Sequence, residues 1–136
     1  VIMKKGIISA DYEYLDYTSA SLNAATPGVF ADVNNNIHSK FTSASNIRVG
    51  GELRLDPFAL RAGYALYGSP IGLYPNGKRQ NYSIGFGYKY EEFFMDFAYV
   101  LSQSQEYYYL YDASLVNSAA NKIQSSTFLL TFGFRY

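Results

Sequence analysis

Apolar and polar residues alternate along most of this chain with a period of two. In an extended strand, successive side chains leave on opposite faces, so the pattern predicts strands with one apolar and one polar face. The clearest case is residues 126–136, S-T-F-L-L-T-F-G-F-R-Y. Phe128, Leu130, Phe132, Phe134 and Tyr136 share one face there, and Thr127, Leu129, Thr131, Gly133 and Arg135 share the other. Alternation of the same kind marks residues 7–17, 47–55, 58–66, 81–90 and 93–101.

Pairing these segments gives specific registers. Asp56 and Pro57 separate two of them. A tight turn there sets Leu53 against Leu60, Val49 against Tyr64, Ile47 against Leu66, and Glu52 across from Arg61. Apolar meets apolar and charge meets counter-charge under one register, which supports the hairpin. Proline is disfavoured at the second central position of the common turn, which leaves a slightly longer turn open. A second hairpin around Glu91 and Glu92 sets Tyr90 against Phe93, Tyr88 against Met95, Phe86 against Phe97, Ile84 against Tyr99 and Tyr82 against Leu101. Lys89 then lies diagonal to Asp96, within reach of an ion pair. The strand after Leu101 is expected to continue to residue 111. The polar stretches 18–45, 69–80 and 112–125 read as loops.

Two regularities set the class. Five apolar bands (47–55, 58–66, 82–90, 93–101 and 128–136) run nine residues each, and a tilted membrane strand needs about 9–11. Minimal turns near Asp56 and Glu91 alternate with long polar loops, as in outer-membrane barrels with short periplasmic turns and longer external loops. The charges fall on the face opposite the aromatics. A soluble sandwich would turn that face outward and a membrane barrel inward, and the pattern alone does not separate the two. Band length and loop asymmetry favour the membrane.

Composition narrows this further. A length of 136 residues allows one domain or a piece of one. Hydrophobic residues make up 49% of the chain, yet mean hydropathy is −0.12 and no run approaches the ~18 apolar residues of a membrane helix. Apolar content diluted by alternation is what a transmembrane β-protein shows. The fifteen Tyr and ten Phe suit interfacial girdles. With no cysteine, disulfides and thiolate metal sites are excluded. Zero net charge argues against a nucleic-acid partner, which calls for a basic stripe. Met3-Lys4-Lys5 resembles the start of an export signal, but Asp11 and Glu13 interrupt the short apolar run that follows. A mature or truncated chain is the expectation.

The ending resembles the C-terminal strand that the barrel-assembly machinery reads in bacterial outer-membrane proteins, with Phe132, Phe134 and Tyr136 as the signal. More widely, the chain resembles the C-terminal half of FadL-type outer-membrane transporters of hydrophobic compounds, in the branch found in Bacteroidetes. The resemblance rests on the stretch Gly6 to Tyr14, on Asn46-Ile47-Arg48-Val49-Gly50-Gly51-Glu52-Leu53-Arg54, on Leu60-Arg61-Ala62-Gly63-Tyr64 with Gly68-Ser69-Pro70, and on Thr131 to Tyr136. It implies a fourteen-stranded barrel with an N-terminal plug and a lateral opening. Six strands are placed here and no plug. The family's substrate-contacting elements lie largely outside the matched portion, so no binding residue carries over.

The expectation is therefore an all-β chain, one segment over residues 1–136. It consists of about six antiparallel transmembrane β-barrel strands, part of a larger barrel in the bacterial outer membrane. The function expected is passive uptake of long-chain fatty acids or other hydrophobic small molecules, without enzymatic activity or cofactor. A small structural or adhesive barrel without transport is the alternative. Expected partners are membrane lipid, a hydrophobic ligand, the assembly machinery, and a further copy through open sheet edges.

Among candidate site residues, Asp11, Glu13, Arg48, Glu52, Arg54, Arg61, Lys89, Asp96 and Arg135 share the polar face. Glu52, Arg61, Lys89 and Asp96 are the candidate lumenal ion pairs. A structural ladder is the plainer reading of them than a polar substrate path. His38, in the Asn/Ser-rich loop, reads as a solvated histidine, since a triad needs oriented partners. The run Tyr107-Tyr108-Tyr109-Leu110-Tyr111 reads as a hairpin extension rather than an aromatic patch for ligand capture. No phosphate loop, paired catalytic carboxylates or metal-ligand spacing appears.

Overall fold

A computed structural model describes residues 5–72, 77–108, 110–111 and 117–135. Met3, Lys4, Tyr109 and Tyr136 lie outside the described residues, as do parts of the expected loops 69–80 and 112–125. The chain folds into one antiparallel sheet with the strand order of the sequence. Its strands are β1 (Gly6–Asp16), β2 (Ser43–Leu55), β3 (Phe58–Tyr67), β4 (Arg79–Tyr90), β5 (Phe93–Tyr108) and β6 (Ala119–Phe134). The sheet is open, with β1 and β6 as its edges.

Both short turns fall where the alternation places them. Leu55 pairs with Phe58, which leaves Asp56 and Pro57 as a two-residue turn. The Asp56–Pro57 peptide is cis, the form in which proline takes the second central position of a tight turn. The longer turn left open by the sequence is not used. Around Glu91 and Glu92 the second hairpin pairs Tyr90 with Phe93, and Glu91 takes a left-handed φ of 49°. Every register derived above for these hairpins is the observed one.

Three expectations are corrected. The stretch 18–45 is only partly loop: it holds a 3-10 turn at Tyr17–Ser19, the helix α1 at Ala31–Lys40, and the start of β2. The helix has a weak sequence signature because its centre is Asn34-Asn35-Asn36, and asparagine is a poor helix former. Side chains gripping backbone groups hold the segment instead. Asn34 accepts from the Leu22 amide (2.8 Å) and donates to the Leu22 carbonyl (3.0 Å), and the His38 ring bonds the Thr18 carbonyl. Second, β6 starts at Ala119, so residues 119–125 of the expected third loop are strand, laddered against the extension of β5. Third, that extension ends as strand at Tyr108 rather than at residue 111.

The loops at the long-loop end fold onto each other. Phe41 bridges Ile71, Thr42 N–H donates to Pro70 (2.8 Å), and Gly72 N–H donates to Lys40 (2.9 Å). What the sheet lacks is a core. Ala44, Asn46 and Gly87 are the buried residues among those described, and no described side chain is fully buried. Phe134 is 74% exposed and Phe128 70%. Among the described residues nothing covers either face of the sheet.

Candidate functional site

The two uncovered faces differ sharply in chemistry. Cross-strand register carries the apolar side chains into continuous rows. One runs Leu53–Leu60–Phe86–Phe97–Leu130 across β2 to β6. The next toward the turns runs Leu55–Phe58–Tyr88–Met95–Phe132, and beyond it lie Tyr90, Phe93 and Phe134. On the loop side follow Ala62–Ile84–Tyr99–Phe128 and then Val49–Tyr64–Tyr82–Leu101. Aromatic neighbours within this face lie in contact: Tyr99 and Phe128 ring centres are 4.8 Å apart, Tyr64 and Tyr82 5.2 Å, Phe93 and Phe134 5.5 Å. Such tilted pairs add about 0.5–1.5 kcal/mol beyond area burial.

The opposite face is polar and concave. Ile7 of β1 and Leu129 of β6, at the two edges, line the same hollow of ≈ 440 Å³ as Gly50, Arg61, Gly85 and Ala98 between them. The sheet therefore curls toward this face.

Arg61 is the hub of the polar face. Its Nε donates to Glu52 Oε2 (2.7 Å) and its Nη1 to Asp96 Oδ1 (2.6 Å), while Arg54 Nε takes the other Glu52 oxygen. Glu52 and Arg61 stand directly across β2 and β3 as their pairing requires. Asp96, however, is joined to Arg61 rather than to Lys89. Asp96 lies on β5 and Arg61 on β3, with β4 between them. The link is open because β4 presents Gly85 opposite Arg61 and Gly87 opposite Asp96. A Cβ on Gly87 would sit 2.7 Å from Asp96 Oδ1 and 3.3 Å from Arg61 Nη1. Two glycines thus let an ion network cross an intervening strand. The spacing Gly85-Phe86-Gly87 carried this signal. Reading strands only as adjacent pairs hides it.

A second cluster lies nearer the loops. Arg48 Nε donates to Asp11 Oδ2 (2.6 Å), and its Nη2 lies 3.4 Å from Glu13 Oε2. Asn46, one of the buried residues, donates to Glu13 (2.9 Å) and accepts the Gly68 amide (3.1 Å). Arg79 lies over the Tyr67 ring, 4.4 Å from its centre. Lys89, Glu92, Phe94 and Arg135 line a further hollow at the short-turn end of this face.

The remaining candidates are placed apart from these clusters. His38 is bound to the Thr18 carbonyl in the loop region. Tyr107 and Tyr108 sit on the extended β5, with the Tyr108 hydroxyl donating to Glu106, an interaction that pushes the Tyr108 hydroxyl pKa up. Phe132 and Phe134 lie on the apolar face of β6. Among the described residues no group of three or more His, Cys, Asp or Glu is placed to hold a metal ion. No helix of the described residues is long and apolar enough to cross a membrane, which says nothing of crossing by strands. No protein-family model matches the chain, and neither a curated protein nor a solved structure matches it.

Proposed function

We propose that this chain forms part of the wall of an outer-membrane β-barrel. Its apolar rows face lipid and its Glu52–Arg61–Asp96 network faces a water-filled interior. The observation that supports this most directly is the pair of uncovered, chemically opposite faces. A sheet that buries so little apolar surface gains little hydrophobic stabilisation from folding in water alone. Lipid on one side and water on the other satisfies both faces. The apolar band, from Phe93 to Leu101 along β5, has the length of a tilted membrane strand, about 9–11 residues. The charged side chains of the Arg61 and Arg48 clusters are paired and remain in contact with solvent, which a wet interior allows and hydrocarbon does not.

Six strands fall short of the eight of the smallest single-chain membrane barrels. Further strands therefore complete the wall, from elsewhere in a longer protein or from another copy. Phe132 and Phe134 would present the terminal strand to the assembly machinery. Within this barrel we read passive passage of hydrophobic small molecules, as the FadL-type resemblance implies. Closed ion pairs filling the concave face equally suit a structural or adhesive barrel without transport.

Nitroxide labels in the protein folded into vesicles test the membrane reading. Labels at Phe97 and Phe132 should be accessible to oxygen and shielded from water-soluble nickel reagents, while labels at Glu52 and Asp96 should show the reverse. Water-like accessibility at both aromatic positions overturns it. Uptake of a labelled fatty acid into those vesicles tests transport. Rates no higher than in protein-free vesicles overturn the transport reading and leave the structural one.

A further inference from the structure

The apolar face does not stay apolar along β4, β5 and β6. One row beyond Tyr82–Leu101–Ser126 it becomes Gln80–Gln103–Gln124, three glutamines side by side across three strands. Past them on the same face stand Gln105 and Lys122, directly paired, and Lys78 sits just ahead of β4. These six side chains line a shallow concavity of ≈ 590 Å³.

The internal bonds of this patch leave donors facing outward. Gln80 spends its carbonyl oxygen on the Tyr82 hydroxyl (2.9 Å), and Gln124 spends its own on the Gln103 amide (3.5 Å). That leaves the amide N–H groups of Gln80 and Gln124 free to donate, beside two ammonium groups. No carboxylate is among the six. Glu106, the acid on this stretch of β5, alternates to the other face. Neither lysine has an ion pair with a described residue. A merely solvated hairpin face mixes both signs of charge. The charges this one offers are all cations, and Gln80 and Gln124 add free amide donors beside carbonyl oxygens of Gln103 and Gln105 that no described residue engages, so the patch suits an anionic partner. Gln103 lies about 7 Å along the strand beyond Leu101, where the hydrocarbon band gives way to the polar zone.

We propose that Lys78, Gln80, Gln103, Gln105, Lys122 and Gln124 form a docking surface for the phosphate-bearing head groups of lipids in the leaflet at the long-loop end. The inference rests on the membrane reading above and adds to it a lipid chemistry and a place. The lysines supply charge and the glutamine amides orient phosphate oxygens, as donors do at other oxyanion sites. The same surface fixes the depth at which the sheet rides.

The test uses the full chain in phosphatidylcholine vesicles carrying spin-labelled phosphatidic acid or spin-labelled phosphatidylcholine. The immobilised fraction of each label gives the lipid preference. The protein should prefer phosphatidic acid, and K78Q or K122Q should each lose about fivefold of that preference, the equivalent of ~1 kcal/mol per surface cation. The loss should shrink in high salt. A double variant that keeps the full preference overturns the proposal. So does phosphorus-NMR binding of inorganic phosphate at this patch with no lipid preference, which would mark a site for a soluble anion. A nitroxide at Phe97 keeps the two readings distinct. Lipid-like accessibility with no lysine-dependent preference sinks the head-group surface alone, and water-like accessibility sinks the membrane reading beneath it.

Discussion

Replacing Phe97 by arginine is the sharpest probe of the apolar face. Phe97 occupies the middle row, with Phe86 and Leu130 beside it in register. Phe93 and Leu101 end the band on the same strand, each four residues away, so Phe97 lies about 14 Å along the strand from either boundary. At a tilt of about 45° that is roughly 10 Å of depth, too far for an arginine to reach water without distorting the bilayer. The expected cost of Phe97→Arg is about 2–4 kcal/mol. Tyr90→Arg, in the row at the short-turn end, should cost about 0–1 kcal/mol, as interfacial positions do. Val100→Arg is the facing control: its side chain lies on the concave side, beside Asn81 and Ser83, where water can solvate the guanidinium. Guanidinium-chloride unfolding from phospholipid vesicles reads all three. A Phe97→Arg cost no larger than that of Tyr90→Arg removes the depth argument. A Val100→Arg cost as large as that of Phe97→Arg removes the assignment of faces.

On the polar face, a double-mutant cycle with Glu52→Ala and Arg61→Ala should show a coupling of about 0.2–1 kcal/mol, the range for solvent-accessible ion pairs; strict additivity would refute the pairing. Gly87→Ala places a methyl group 2.7 Å from Asp96 Oδ1, so the carboxylate must move and the coupling measured between Arg61→Ala and Asp96→Ala should weaken; an unchanged coupling would show that Gly87 is not what keeps the link open. Past the apolar rows, the Thr18 hydroxyl and then its amide lower the Asp16 carboxyl pKa from its ordinary value. Its contribution is therefore present above the unfolded pKa of about 3.9 and is lost as pH falls through the lower folded value. The Thr18 amide resonance should titrate with a midpoint below about 3.9, and a midpoint at or above it would count against the cap.

The sequence revealed the parts of this fold that depend on period and turn position. Leu53 against Leu60 and Phe86 against Phe97 follow from alternation plus a two-residue turn, because slipping the register by one residue would exchange the faces. It did not reveal α1, which is held by Asn34 on Leu22 and by His38 on Thr18. Those contacts span 12 to 20 residues and leave no local pattern. The early start of β6 was hidden for another reason: Ala119 to Gln124 do not alternate, and they are strand because β5 offers them a ladder. The pairing of Asp96 with Arg61 required three strands to be considered together. Adjacent-strand reasoning put Lys89 in that place. The membrane setting and the substrate class belong to the proposals, since they concern what lies outside the sheet.

The open sheet also obeys a rule of parity. With six strands in an unbroken antiparallel meander, β1 and β6 run in opposite directions, so each edge is already a correctly oriented neighbour for the other. In the barrel proposed above, the strands that join them keep an all-antiparallel ring only if they preserve that alternation. Hairpins can be inserted between the edges in any number, but a single extra strand would force one parallel contact into the ring. A second copy of the sheet doubles the count and leaves the alternation intact. A wall of that barrel kept antiparallel throughout thus grows in pairs of strands, and each such insertion enters and leaves at the same end of the sheet as the turns at Asp56 and Glu91.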